Sequence, residues 1–314
     1  MNKLFFAILI FCMMTVSAVA QQIPQYTQFL FNHFGINPAV AGTHSCIDMR
    51  LGYRTQWVGF EGAPKTSFAN LHARIPKGRK RGSIYRFHAV GINVYSDGIG
   101  PASKTHVSLA YALNMKAGSK HRMAFGIFAG FDQYRFNASK VTVFTSPDAA
   151  IDGSKAVFIV PDISPGFLYY SENRSSYISF TMPQLLKNKI KVFPDTRFTH
   201  HYILMAGKKW VSRGSDLALT PSVALKFAPW APLAIDVNVL FDFTQNVQFG
   251  ATWRNTDAVA LMAKVNFLKY FSFGYAFDFT TSKIRLASSN THEIILGISA
   301  CPKMDYDPAA CPVF

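Results

Sequence analysis

Phe271-Ser272-Phe273-Gly274-Tyr275-Ala276-Phe277-Asp278-Phe279-Thr280 is the stretch whose reading decides the fold. Each odd position from 271 to 279 carries an aromatic ring, and each even position a small or polar residue. Side chains along a strand point alternately to opposite faces, so these residues make a strand with one aromatic and one polar or small face. A helix would scatter both sets around its circumference. The pattern repeats upstream. Ile235, Val237, Val239, Phe241 and Phe243 oppose Asp236, Asn238 and Asp242, while Val107, Leu109, Tyr111, Leu113 and Met115 oppose His106, Ser108, Ala110 and Asn114. Leu217, Leu219, Val223, Leu225 and Phe227 oppose Asp216, Thr220, Ser222 and Lys226, and Val259, Leu261, Val265 and Phe267 oppose Lys264 and Asn266.

A soluble sandwich also alternates, so number and length of segments must decide. The pattern predicts strands at 46–57, 65–75, 86–96, 103–116, 121–136, 157–170, 174–182, 200–210, 215–227, 232–243, 246–254, 257–267, 270–280 and 290–300. That is about fourteen strands of about 9 to 12 residues, longer than ordinary globular strands and suited to crossing a bilayer at a tilt. An even count returns both ends of the barrel to one side. The longest connections, 137–156, 183–199 and 281–289, then all fall on the outer side. Asn173, Ser212-Arg213-Gly214, Thr244-Gln245 and Leu268-Lys269 fall in tight inner turns, with 76–85 the long exception. The expected fold is an all-β, antiparallel, up-and-down transmembrane barrel with both termini periplasmic.

Composition agrees. The chain is 49% hydrophobic and only 16% charged, against roughly 25% charged for soluble domains. Beyond the N-terminus no apolar run reaches the ~18 residues that suggest a spanning helix. At the N-terminus, Lys3, the apolar run 4–16 and Ser17-Ala18-Val19-Ala20 have the layout of a secretory signal peptide cut after Ala20. Small residues are missing before Cys12, which speaks against a lipoprotein. The predicted organisation is a signal peptide at 1–20, a segment entering the barrel at 21–45, the barrel at 46–300 and a periplasmic tail at 301–314. In that tail Pro302, Pro308 and Pro312 cannot donate to a ladder.

The formal net charge is +15, densest at Arg74, Lys77, Arg79, Lys80, Arg81 and Arg86. In an exported protein such a cluster suits anionic lipid or lipopolysaccharide headgroups, or a periplasmic partner, and not nucleic acid. Three mature cysteines remain, Cys46, Cys301 and Cys311. A Cys301–Cys311 disulfide is plausible in an oxidising compartment, with other pairings open. Nucleophile-elbow, metalloprotease-helix and phosphate-loop motifs are absent from the sequence. His200 and His201 are adjacent on a strand and face opposite ways. No enzyme activity, cofactor or metal site is expected.

Several short motifs are more specific. Gln25-Tyr26-Thr27-Gln28-Phe29-Leu30-Phe31-Asn32 leads to Ile36-Asn37-Pro38-Ala39-Val40-Ala41-Gly42. Then follow Tyr53-Arg54-Thr55-Gln56-Trp57-Val58-Gly59-Phe60-Glu61-Gly62-Ala63-Pro64-Lys65-Thr66 and Asp97-Gly98-Ile99-Gly100-Pro101. Near the end stand Ala231-Pro232-Leu233, Gly274-Tyr275-Ala276-Phe277-Asp278, Thr281-Ser282-Lys283 and Thr291-His292-Glu293-Ile294. In this order the chain resembles the PorP/SprF family of outer-membrane proteins, associated with type IX secretion and gliding motility in the Bacteroidetes, over nearly its whole mature length. The resemblance implies a barrel that supports export or surface anchoring of a partner carrying a type IX C-terminal signal, especially a large adhesin, some used in gliding. It also implies contact with the periplasmic ring of the secretion or motility machine. The porin-like diffusion channel is the competing function.

Each motif also has a physical reading. Asn37-Pro38 and Ala41-Gly42 suit a turn bringing the N-terminal segment into the barrel. Trp57 and Phe60 suit an aromatic girdle. Gly62-Ala63-Pro64 and Gly98-Ile99-Gly100-Pro101 suit compact outer turns. Asp278 and Lys283 are expected to pair at the outer rim, and Glu293 to face the lumen.

Overall fold

The computed structural model describes residues 23–75, 86–140, 155–186, 188, 198–212, 217–243, 246–268, 270–286, 288 and 290–300. The expected signal peptide, the tail at 301–314 and the basic turn at 76–85 lie outside them.

Among the described residues, fifteen strand segments form one antiparallel sheet that closes on itself. They are β1 (Ile47–Thr55), β2 (Lys65–Arg74), β3 (Arg86–Ile99), β4 (Ala102–Lys116), β5 (His121–Asn137), β6 (Lys155–Ser171), β7 (Ser176–Thr181), β8 (Tyr202–Lys208), β9 (Trp210–Val211), β10 (Ala218–Phe227), β11 (Ala234–Phe243), β12 (Val247–Arg254), β13 (Ala258–Phe267), β14 (Phe271–Thr280) and β15 (Thr291–Ala300). β8 and β9 pair with successive parts of β10, so they act as one interrupted stave and the wall has 14. β1 closes on β15, with Ile47 opposite Ala300 and Arg54 opposite Glu293.

The wall is inside out relative to a soluble protein. On β14, Phe273 is 40% exposed and Phe279 47%, while Ala276 and Asp278 are buried. On β15, Leu296 points out while Glu293 and Ile295 point in. Large apolar side chains exposed on strand after strand, with carboxylates and amides turned inward, match a surface solvated by lipid and a polar lumen. This separates the barrel from the sandwich.

Strand lengths depart from expectation in one sector. β5 and β6 run to 17 residues each, while β7 has only 6. The two-residue connection at Gly100-Pro101 lets β3 and β4 pair to their ends, from Arg86–Met115 to Ile99–Ala102. The shortness of β7 has a cause on β6. The carbonyls of Pro161 and Pro165 face β7's side, where they accept from Asn188 Nδ2 at 2.7 Å and Met182 N at 3.0 Å. A proline there has no N–H to return, so the β6–β7 ladder spans only Gly166–Tyr170 against Tyr177–Thr181. Residues 182–186 continue along the remaining edge of β6, with Leu185 N donating to Ile163 O at 2.9 Å.

β1 begins and β15 ends at one rim, called here the lower rim. The strand ends that flank 138–154, 182–201 and 281–290 all lie at the opposite, upper rim. Before β1 the chain fills the lumen. A short helix α1 (His33–Ile36) leads into a 3-10 turn (Pro38–Val40). Phe29, Leu30, Phe34, Ala39, Val40 and Ala41 are all buried inside the wall. Cys46, just before β1, is disulfide-bonded. The Cys301–Cys311 pairing read from sequence falls on residues outside the described ones.

Candidate functional site

The lumen segment 23–46 enters among upper-rim residues and leaves at the lower rim. Ile23, Pro24 and Gln25 border a cavity shared with Ala228, Ala231 and Pro232 of the β10–β11 connection. At the lower rim, Arg74 Nη2 donates to the carbonyl of Gly42 at 3.1 Å, and Gly42 holds a left-handed φ of 66° that glycine adopts without strain. Strand parity does return β1 and β15 to one rim, but the described chain starts at the other.

Midway, the Asn37-Pro38-Ala39 turn is seated on the wall. Asn37 is fully buried. Its side-chain oxygen accepts from Ala39 N at 2.9 Å, and its Nδ2 donates to Ser179 Oγ at 2.8 Å and Phe167 O at 3.0 Å. Proline suits the first position of the turn because its missing N–H has no partner there anyway. Two facing wall glycines make room. Gly126 pairs with Gly166, and a Cβ on Gly126 would fall on the backbone of Pro38 and Ala39.

Nearer the upper rim the segment is bolted by charge. Arg54 is completely buried; it contacts Asp278 through Nη2 at 2.9 Å and Glu293 through Nη1 at 3.1 Å. Glu293 is also fully buried, and its two oxygens accept from the backbone N–H groups of Thr27 at 2.8 Å and Gln28 at 2.9 Å. The Thr27 hydroxyl donates to Asp278 at 2.7 Å and accepts from Arg54 at 2.5 Å. Arg254 extends the network to Asp236 at 3.2 Å and Asp278 at 3.6 Å, and Lys226 closes on Asp236 at 2.6 Å. Isolated buried charges are costly; here every carboxylate has a cation, and two otherwise unsatisfied backbone donors end on one of them. The arrangement is a latch holding residues 27–28 to β1, β14 and β15. It contains no hydrolytic geometry.

All the motif residues but His292 divide into two groups. Asn37, Pro38, Ala41, Gly42, Arg54, Asp278 and Glu293 meet in the lumen. Gln56, Trp57, Gly59, Gly62, Pro64, Gly100, Pro101, Ser282 and Lys283 form the upper-rim connections. There Gly100 N donates to Gly62 O at 2.9 Å, Gln56 N to Pro64 O at 2.9 Å, and Ser282 Oγ to Asp257 at 2.9 Å. Trp57 has φ 48°, its N–H donates to Thr291 Oγ1 at 3.1 Å and its indole nitrogen is enclosed, whereas Phe60 is 45% exposed. His292 lies on the outer face, its Nδ1 2.8 Å from Tyr275 Oη. The expected Asp278–Lys283 pair does not form. Asp278 sits on the inward face of β14 and is taken by Arg54 and Arg254, while Lys283 is exposed in a 3-10 turn beyond the strand. Glu293 faces the lumen as expected.

Arg254, Asp236, Lys226 and Thr27 were not singled out from sequence. Asp236 and Lys226 lie on the polar faces identified there, but inward position alone names no partner.

The chain matches the family described as type IX secretion system membrane protein PorP/SprF over residues 18–298. No curated protein matches it. Among solved structures, the toluene transporter TbuX of Ralstonia pickettii aligns at a TM-score of 0.50 and 7% identity, covering 85% of this chain and 93% of that one. A Pseudomonas aeruginosa FadL homologue aligns at a TM-score of 0.44 and 13% identity, covering 88% and 94%. Likeness at such identity concerns fold alone. The family is one of secretion-system membrane barrels, not of enzymes. With its family match spanning most of the sequence and its strands closed into an outer-membrane-type barrel, the chain belongs to the PorP/SprF family of type IX secretion system membrane proteins.

Proposed function

We propose that this barrel supports secretion or surface anchoring of a partner protein bearing a type IX C-terminal signal, an adhesin-like cargo serving surface attachment or gliding. The observation carrying this reading over a porin-like channel is the filled lumen. Residues 26–41 occupy it and are bolted to the wall by Arg54, Asp278 and Glu293. A diffusion pore needs a continuous aqueous path, and a plugged barrel is suited instead to present its rims. The upper rim carries the long connections, which supports its facing outward. β15 ends at the lower rim, which supports a periplasmic start for the tail at 301–314 and its use as a contact for the secretion or motility ring. The basic cluster at 74–86 begins at that rim too, within reach of anionic headgroups.

Affinity capture of the tagged barrel from envelopes tests the reading. One large secreted protein should co-purify in near-equal amount. Recovery of lipid and assembly factors alone would remove the anchoring role. In planar bilayers the purified protein should give no steady conductance, and a stable ohmic current would favour the porin reading.

A further inference from the structure

A second charged cluster lies in the upper lumen, across a cavity from Lys226 of the latch network, and one of its carboxylates has no cation paired to it. Lys104 Nζ contacts Asp132 at 3.0 Å, and His106 Nδ1 contacts the other oxygen of Asp132 at 2.6 Å. Gln184 Nε2 donates to Asp132 at 3.1 Å and to Tyr134 Oη at 3.0 Å. Asp162 stands beside this group on β6, 3% exposed; among the described residues its carboxylate's one hydrogen bond comes from Ser164 Oγ at 2.8 Å. Gln184 N donates to the same Ser164 hydroxyl at 3.0 Å, which places Gln184 next to Asp162. Gln184 is 6% exposed, yet its Oε1 has no hydrogen-bond partner.

Asp162, Ser164 and Gln184 all border a cavity of about 110 Å³ at the upper end of the lumen. Its other walls are largely apolar and aromatic, including Tyr26, Phe29, Phe128 and Tyr202. Lys226 lines the cavity and Lys104 stands near Asp162, but neither pairs with Asp162 directly. Lys226 is held by Asp236 at 2.6 Å, and Lys104 by Asp132. His201 also borders the cavity, and burial beside Lys104 and His200 lowers its pKa to about 4, so it stays neutral at physiological pH. The Asp162 carboxylate thus stands at a cavity with aromatic walls, and among the described residues no cation pairs with it directly, although Lys226 lines the same cavity. Cavities near 150 Å³ take a benzene-sized guest, so about 110 Å³ suits a chain of four or five heavy atoms.

We propose that this cavity binds a primary alkylammonium group on a short aliphatic stem, its N–H donors on Asp162 and Gln184 Oε1 and its stem against the aromatic walls. Such a group arrives either as a free amine or as a lysine side chain of a partner. The inference is independent of the secretion reading.

Calorimetric titration of the full mature protein in detergent micelles tests it, using n-butylammonium, 1-butanol as its neutral near-isostere, and Nα-acetyl-lysine methylamide. Butylammonium should bind at least about tenfold tighter than butanol, because charge-assisted hydrogen bonds outweigh neutral ones by that order. Asp162→Asn should abolish this preference and Asp162→Glu retain it, with barrel folding followed by heat-modifiable gel migration. If Asp162→Asn does not fold, the wild-type preference and a reduced affinity in Gln184→Leu decide. Tighter binding of the lysine derivative identifies a protein partner as the source, and tighter binding of butylammonium a free amine. Equal binding of amine and alcohol, no binding of either, or an undiminished preference in Asp162→Asn overturns the proposal.

Discussion

The latch around Arg54 and the cluster around Asp132 are built from the same materials on the same kind of wall, yet they finish differently. In the latch each carboxylate meets a cation, and Glu293 spends both oxygens on the backbone of Thr27 and Gln28. In the other cluster Asp132 gathers Lys104, His106 and Gln184, which leaves Asp162 with a hydroxyl and Gln184 Oε1 without a hydrogen-bond partner, both residues bordering a cavity. Buried ionic groups need internal partners because water is excluded. Carboxylates each met by a cation make a fastening. A carboxylate that borders a cavity with no cation paired to it makes a recognition site.

Arg54→Ala should break the contrast most severely. It leaves buried Glu293 without a cation and Asp278 with Arg254 alone at 3.6 Å, a change that costs about 3–5 kcal/mol, read as lower resistance to denaturant unfolding. It should also let the segment leave the lumen, read as new conductance in planar bilayers. Unchanged stability with a silent bilayer would show that the latch holds nothing. Gly126→Val comes next, at roughly 3 kcal/mol from overpacking against Pro38 and Ala39. Limited proteolysis should then cut within 27–42 while the wall stays folded. Thr27→Val keeps the shape but removes one hydroxyl between Arg54 and Asp278, and should cost roughly 2 kcal/mol with the lumen still closed. Asp162→Asn should move stability least, within about 0.5 kcal/mol, because no described cation depends on that carboxylate directly. A loss as large as that of Arg54→Ala would mean that both clusters are fastenings, and the distinction would fall.

The strands were legible in advance because lipid on one side and lumen on the other impose a period of two that survives in the residue order. The predicted 257–267, 270–280 and 290–300 fall within a residue of β13, β14 and β15. β7 was less legible: of its predicted 174–182, the end beyond Thr181 is lost where Pro165 on its neighbour has no donor, and 174–175 belong to the turn after β6. Within the site, the inward direction of Glu293 could be read, but not its partner. Arg54 and Glu293 are 239 positions apart and meet because the last strand closes on the first in the register Arg54–Glu293. Asp278 was assigned to Lys283 by proximity in sequence, and closure gave it to two arginines instead.

By itself, then, the sequence determined a lipid-facing barrel, about how many staves it has and which faces of them are polar, because period and length are local properties of a strand. Its family motifs pointed to the secretion role. The tertiary structure alone decided that the aperiodic stretch before β1 is a plug, which carboxylates bolt it and which were left open. Those outcomes depend on register around a closed ring and on what the enclosed volume admits, and neither is written in any single segment.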